Sequence, residues 1–256
     1  MNVSYRQRRP DLLLISSVSV IALLLFWEGA CRLQWVDALF LPSPSSVFAR
    51  MAGMWDQGVL MGHILASARR VMVGFAAATA LAIPLGIFLG TSLRARAAFD
   101  PILSFLRPLP SMSWIPLSLL WFGITETQKY SIVFMGTFAP ALLYVIEATR
   151  NIDPLLIRAA RNLGASRPQV MRMVILPASL PQIFSGFKVI LGLSWTCVIS
   201  AELVAAKEGL GFLIMNGKEF FQTDTVVLGM ALISVTVLVT DVVFRVIENR
   251  VLAWSR

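Results

Sequence analysis

Arg107 and Glu202 stand inside long apolar runs of this sequence, the first beside Pro108, Pro110 and Pro116, the second after Ser194-Trp-Thr-Cys-Val-Ile-Ser200. An ionisable side chain held near a bilayer centre costs at least about 2.5 kcal/mol, so each such residue marks a conduit, a gate or a buried partner. Ser111, Ser113 and Trp114 follow the first prolines on the part of the run that would face a path, and Trp195 shares the run of Glu202. A kinked packing helix with a snorkelling arginine is the other reading of 107–116. Glu202 would repel an anionic solute, which favours a structural or gating role. It is either solvated near the outer surface or paired with a basic residue of a neighbouring subunit. Covalent chemistry has little support. There is no G-x4-G-K-[ST] phosphate loop and no Ser/His/Asp or Cys/His constellation. Cys31 and Cys197 are isolated thiols without nearby histidines, so no metal site is expected. His63, the one histidine, opens a run at its outer end and reads as interfacial. Gly209-Leu-Gly211 lacks the strand and third glycine of a dinucleotide fingerprint, and reads as a flexible outer turn.

A second group points to mechanical work. Between two apolar runs lies a polar segment, 148–181, with its own helix signals. Asp153 can cap a helix that starts at Pro154, and Gly164 can end it in the left-handed conformation. Ser166-Arg-Pro-Gln169 has capping-box spacing for a second helix, and Pro177 is expected to stop it. Ala159, Ala160 and Gly164 leave one side of the first helix thin enough for another protein to approach closely. An ordinary amphipathic surface loop is the alternative.

The elements that hold these residues are set by composition. The chain is 57% hydrophobic and 14% charged, well below the roughly 25% charged residues of a soluble domain. Its mean hydropathy is +0.76. Apolar runs near 12–31, 64–92, 99–123, 128–147, 182–206 and 226–247 are each near the roughly 20 residues that cross the hydrocarbon core. The alternation of a membrane β-barrel is absent. The expectation is an all-α membrane protein of about six transmembrane helices. Residues 1–63 would form the first helix and an outer interfacial helix at 46–56. Residues 64–256 would form a core of five spans with the loop 148–181. The first run follows Arg6, Arg8 and Arg9 but is long, carries Trp27 and Glu28, and precedes no small-residue cleavage site. It reads as a retained helix. Pro108, Pro110 and Pro116 must break or kink the third span.

The net charge of +8 does not cluster as a nucleic-acid surface would; basic residues punctuate the ends of runs. Arg6, Arg8 and Arg9 place that end in the cytoplasm. Alternation puts Arg94, Arg96, the Arg150–Arg172 loop, Arg245, Arg250 and Arg256 inside with it, so both termini are cytoplasmic. Arg32, Arg50, Lys129, Lys207 and Lys218 are a thinner outer set. Arg69 and Arg70 run against this scheme and are expected to snorkel to the outer interface. No internal repeat and no coupled set of intramembrane charges suggests a secondary carrier working alone.

The pattern Ala159-Ala160-x3-Gly164-x9-Val174-x-Leu176-Pro177 resembles the EAA loop of binding-protein-dependent ABC importer permeases, with Arg158 where that family has Glu. Phe40-Leu-Pro-Ser-Pro, Arg107-Pro-Leu-Pro-Ser-Met-Ser-Trp114-Ile-Pro-Leu, Trp121-Phe-Gly-Ile and Ala201-Glu-Leu-Val-Ala-Ala … Gly209-Leu-Gly-Phe are similar to the nitrate/sulfonate/taurine subgroup. Arg-Ala-Ala and the Gly217-x-Glu219-Phe … Thr223-Asp224 segment look like its taurine branch. The resemblance implies a MetI-like ABC permease architecture in a bacterial inner membrane. It also implies that Arg158, Ala159, Ala160, Gly164, Ala165, Ser166, Leu176 and Pro177 form a coupling helix that docks on a cytoplasmic ATPase dimer. The chain would bind no cofactor itself, with ATP and Mg held by that partner. A periplasmic or lipid-anchored binding protein and a second copy of the chain would complete the transporter. The substrate would be taurine or an aliphatic sulfonate; nitrate, riboflavin, a pyrimidine precursor or an aromatic carboxylate are the alternatives.

Overall fold

A computed structural model describes residues 10–255. Arg6, Arg8, Arg9 and Arg256, which carry part of the expected orientation, lie outside the described residues. Every regular element among the described residues is helical. The first is α1, Pro10–Arg32, and the second α2, Pro44–Asp56. Ser43 caps α2 by accepting the Ser46 N–H, and Pro44 sits in its first turn, where no backbone donor is needed. The interfacial helix therefore starts earlier than 46. α3, Leu60–Thr91, and α6, Glu126–Arg150, are long apolar helices. Small residues let them approach closely. A Cβ added at Gly86 would lie 2.6 Å from Val145 Cβ, and one at Gly90 would lie 2.7 Å from Thr149 Cβ. The Gly86-x3-Gly90 spacing is of the small-residue kind that lets helices pack this closely.

The third apolar run does not form one helix. It divides into α4, Leu93–Leu106, a 3-10 turn at Ser111–Trp114, and α5, Ile115–Phe122. Pro108 and Pro110 remove donors where the helix would continue, whereas Pro116 falls in the first turn of α5 and is harmless there. Among the described residues five helices are long and apolar enough to span a bilayer, and Ser111–Phe122 is a shorter apolar piece. The expected six runs thus become five full spans and one broken one.

α7, Pro154–Asn162, and α8, Arg167–Val170, occupy the polar loop. A π-helical segment, Met171–Ile175, joins α8 to α9, Leu176–Ala205. Pro177 therefore does not stop a helix. The Leu176 N–H bonds Met171 O five residues back, and this wider turn brings Pro177 into the first turn of α9, where a proline is tolerated. Helical backbone runs unbroken from 167 to 205. α10, Leu210–Glu219, and α11, Thr223–Val251, follow.

The chain divides into two compact units. One holds the N-terminal segment through Met61 with Leu213–Ala231; in it Arg50 donates to Thr225 Oγ1 at 2.9 Å. The other holds Gly62–Phe212 and the chain from Leu232 onward. Its core is built of Val71, Leu89, Ile132, Leu142, Ile146, Ile183, Ile190 and Trp195.

Candidate functional site

Three places in the second unit gather the polar residues. The first is built on α3, where His63, Ser67 and Arg70 fall at i, i+4 and i+7, one face of a helix. The opening amides before and within α10 each find a side chain. Gly209 N–H donates to His63 Nδ1 at 3.1 Å, Leu210 N–H to Ser67 Oγ at 2.8 Å, and Gly211 N–H to Glu202 Oε2 at 2.8 Å. Those groups have no partner within the helix, so the side chains cap it. Glu202 also accepts from Arg70 Nη1 at 2.8 Å and from Ser67 Oγ at 2.8 Å. Arg70 forks onto Glu126, Nε to Oε2 at 2.8 Å and Nη2 to Oε1 at 2.7 Å, and donates to the Glu208 carbonyl at 2.7 Å.

Several expectations change here. Arg70 does not snorkel; its side chain is 0% exposed, because three glutamates supply the polar contacts it would otherwise seek in water. Arg69 does stay exposed, 3.3 Å from Glu126. Glu202 is neither solvated nor left for another subunit: its own chain's Arg70 holds it, and its side chain is also 0% exposed. Gly209-Leu-Gly211 is no flexible turn. Gly209 has φ +123° and no room for a Cβ against the Glu202 carboxyl group, and Leu210 already begins α10. His63 caps that helix and stacks on Phe212 with ring centroids 5.9 Å apart, in place of a free interfacial position.

The broken span is the second place. Backbone away from helix geometry survives in a membrane only where protein or water covers it. Ser111 packs on α6, where a Cβ at Gly136 would come 2.8 Å from Ser111 Cβ. Across the break, Leu109 N–H bonds Leu106 O at 3.2 Å and Ser113 N–H bonds Pro110 O at 3.0 Å. Ser113 is exposed. Trp114 lines a cavity of ≈ 300 Å³ with Trp121, Phe122, Tyr130 and Phe134. Arg107 is exposed at the wall of a separate cavity of ≈ 440 Å³. Trp195 lies elsewhere: 2% exposed, it packs in the core and its indole N–H donates to Thr240 Oγ1 at 3.1 Å.

The third place is the loop. Asp153 accepts the Leu155 N–H at 2.8 Å, and Pro154 opens α7. Gly164 ends it at φ +82°, with Gly164 N–H to Arg161 O and Ala165 N–H to Ala160 O, both at 3.0 Å. That pair of bonds is a Schellman motif. Ser166 and Gln169 complete the capping box of α8. Ala160 and Ala165 pack toward the core along with Leu176, whereas Arg158 and Ala159 face out. The thin side is therefore split between two faces. Leu155, Leu156 and Leu163 are exposed, Leu163 by 89%.

The sequence marks Arg70 as a charge without its buried role, and it does not single out Ser67 or Glu126, nor Tyr144, Glu147 and Gln182, which line the cavity of Arg107. The face shared by His63, Ser67 and Arg70 was a readable signal. Their partners, more than fifty residues away along the chain, were not.

Comparison with known proteins agrees with this architecture. The family model described as binding-protein-dependent transport system inner membrane component matches residues 82–253. The chain is 37% identical to the taurine transport system permease protein of Escherichia coli (strain K12), over 93% of this chain and 89% of that one. It is 33% identical to a putative aliphatic sulfonates transport permease protein of Bacillus subtilis (strain 168), over 89% and 83%. The fold matches the inward-facing MetNI methionine ABC transporter with TM-score 0.64 at 20% identity, covering 79% of this chain and 97% of the other. The chain belongs to the family of binding-protein-dependent transport system inner membrane components, the multi-pass permeases of ABC importers.

Proposed function

We propose that this permease carries a small anionic or zwitterionic solute, taurine or an aliphatic sulfonate, delivered by a periplasmic binding protein and driven by a separate ATPase. Two relatives named for taurine and aliphatic sulfonates support the substrate. In this reading both termini are cytoplasmic, residues 64–256 form the permease core, and two copies line one path. ATP and Mg bind the partner, and residues 158–166 with Leu176 and Pro177 receive its motion.

The observation that carries the reading is the outward face of α7. Leu155, Leu156 and Leu163 are exposed large apolar side chains on a polar loop. Arg158, Arg161, Arg167 and Arg172 beside them have no carboxylate partner among the described residues. A protein partner offering apolar contact and acidic groups satisfies both. The loop is also mechanically suited to the task. α8, the π segment and α9 form continuous helix, so displacement at the loop tilts a span that packs against α6.

Leu163→Asp tests this directly, since Leu163 is open to solvent and its change leaves the chain's own core intact. With the complex isolated in mild detergent, the variant is expected to insert normally but to retain at least roughly tenfold less ATPase, as burying an unpaired carboxylate in an interface predicts. Equal retention would remove the loop from the docking surface.

A further inference from the structure

Arg107 shares its cavity with Pro140, Leu143, Tyr144, Glu147 and Gln182. At ≈ 440 Å³ the space suits a small solute. The residues come from three separate stretches: the break after α4, the inner half of α6, and the first turns of α9. With α6 rising about 1.5 Å per residue, residues 140–147 lie in the half of that span nearer the 148–181 loop.

Three features of this cavity are not those of a lipid-facing surface. Arg107 has no ion pair or side-chain hydrogen bond among the described residues, although Glu147 lines the same cavity. Glu147 is held only by Arg150, one helical turn away on its own helix, at 3.5 Å, with both side chains about half exposed. Such a pair at the surface is weak and easily exchanged. Tyr144, 39% exposed, lines the same cavity, an aromatic that can contact a cation. Gln182 adds an exposed amide. An unpaired guanidinium and a loosely held carboxylate, both exposed and both lining one cavity, form a site awaiting a ligand with both charges.

We infer that this cavity is a contact site on the conduction path for a small zwitterion, with Arg107 taking the tetrahedral anionic head and Glu147 the ammonium. The inference rests on the importer reading above and refines its substrate class. A guanidinium binds sulfonate oxygens through parallel N–H donors. The Glu147 carboxylate accepts from an ammonium, and a solute lacking that group leaves Glu147 with Arg150. The site therefore prefers an aminoalkanesulfonate over the plain alkanesulfonate.

The test uses the complete transporter in proteoliposomes, with uptake of taurine and of ethanesulfonate compared. Glu147→Gln is expected to lower the taurine-to-ethanesulfonate ratio of kcat/KM roughly tenfold, the loss of one charge-assisted contact. Arg107→Lys is expected to slow both solutes. A cysteine at Leu143 supplies a readout that does not need turnover: taurine should slow its alkylation in the wild-type background and fail to do so with Glu147→Gln. Equal slowing of both solutes by Glu147→Gln, or no protection by taurine, would overturn the site while leaving the importer reading intact. A wild-type complex that hydrolyses ATP with its binding protein yet moves neither solute would overturn the substrate reading and the site together.

Discussion

Arg70 is the residue on which the His63–Ser67–Glu202 cluster turns. It joins α3 to the start of α6 through Glu126, to the end of α9 through Glu202, and to the link before α10 through Glu208. Its removal leaves Glu202 buried without a cation, which costs about 3–5 kcal/mol. Arg70→Met should accordingly lower the Tm of the purified protein far more than Glu126→Gln, because the Glu126 side chain is 37% exposed and water can replace the lost contact. Equal shifts in a thermal unfolding series would mean that the cluster is not held by Arg70. At this scale the sequence was half legible. Glu202 stood out because a carboxylate in an apolar run is conspicuous. Arg70 reads as a snorkelling charge in the sequence because its partners are distant in the chain. The sequence also shows Gly209 and Gly211 without showing that the Glu202 side chain fills the space their own side chains would take.

At the scale of elements, local chemistry was readable and continuity was not. The cap at Asp153, the left-handed Gly164 and the Ser166–Gln169 box depend on residues a few positions apart, and each forms. The break in the third span follows from Pro108 and Pro110 alone. Pro177 misled because a π turn, which no local residue announces, places it where a proline is tolerated. The loop elements carry a prediction of their own. Exposed Arg158, Arg161 and Arg167 lack carboxylate partners among the described residues, so in the proposed docking their contribution is electrostatic. Screening shortens from about 10 Å at 0.1 M salt to about 3 Å at 1 M. The dissociation constant for the ATPase should rise steadily with salt, as titrated on immobilised permease. A flat salt dependence would assign docking to the leucines alone.

For the whole molecule, α9 leaves a run of exposed positions, Gln182, Ser185, Val189, Gly192 and Thr196, along one side of a membrane span. Polar and small side chains at such spacing suit another helix better than lipid. Gly192 has open space around it within the chain. Gly192→Leu should therefore leave a single copy folded while reducing the two-copy fraction measured by light scattering in detergent; an unchanged mass would move the contact between copies elsewhere. In the proposed function this chain transmits work done by a separate ATPase. The direct measurement is taurine uptake into proteoliposomes holding this permease, with and without its ATPase and ATP. Uptake that requires both, and is indifferent to ion gradients, is the predicted result. Uptake by the permease alone, driven by a proton or sodium gradient, would contradict it.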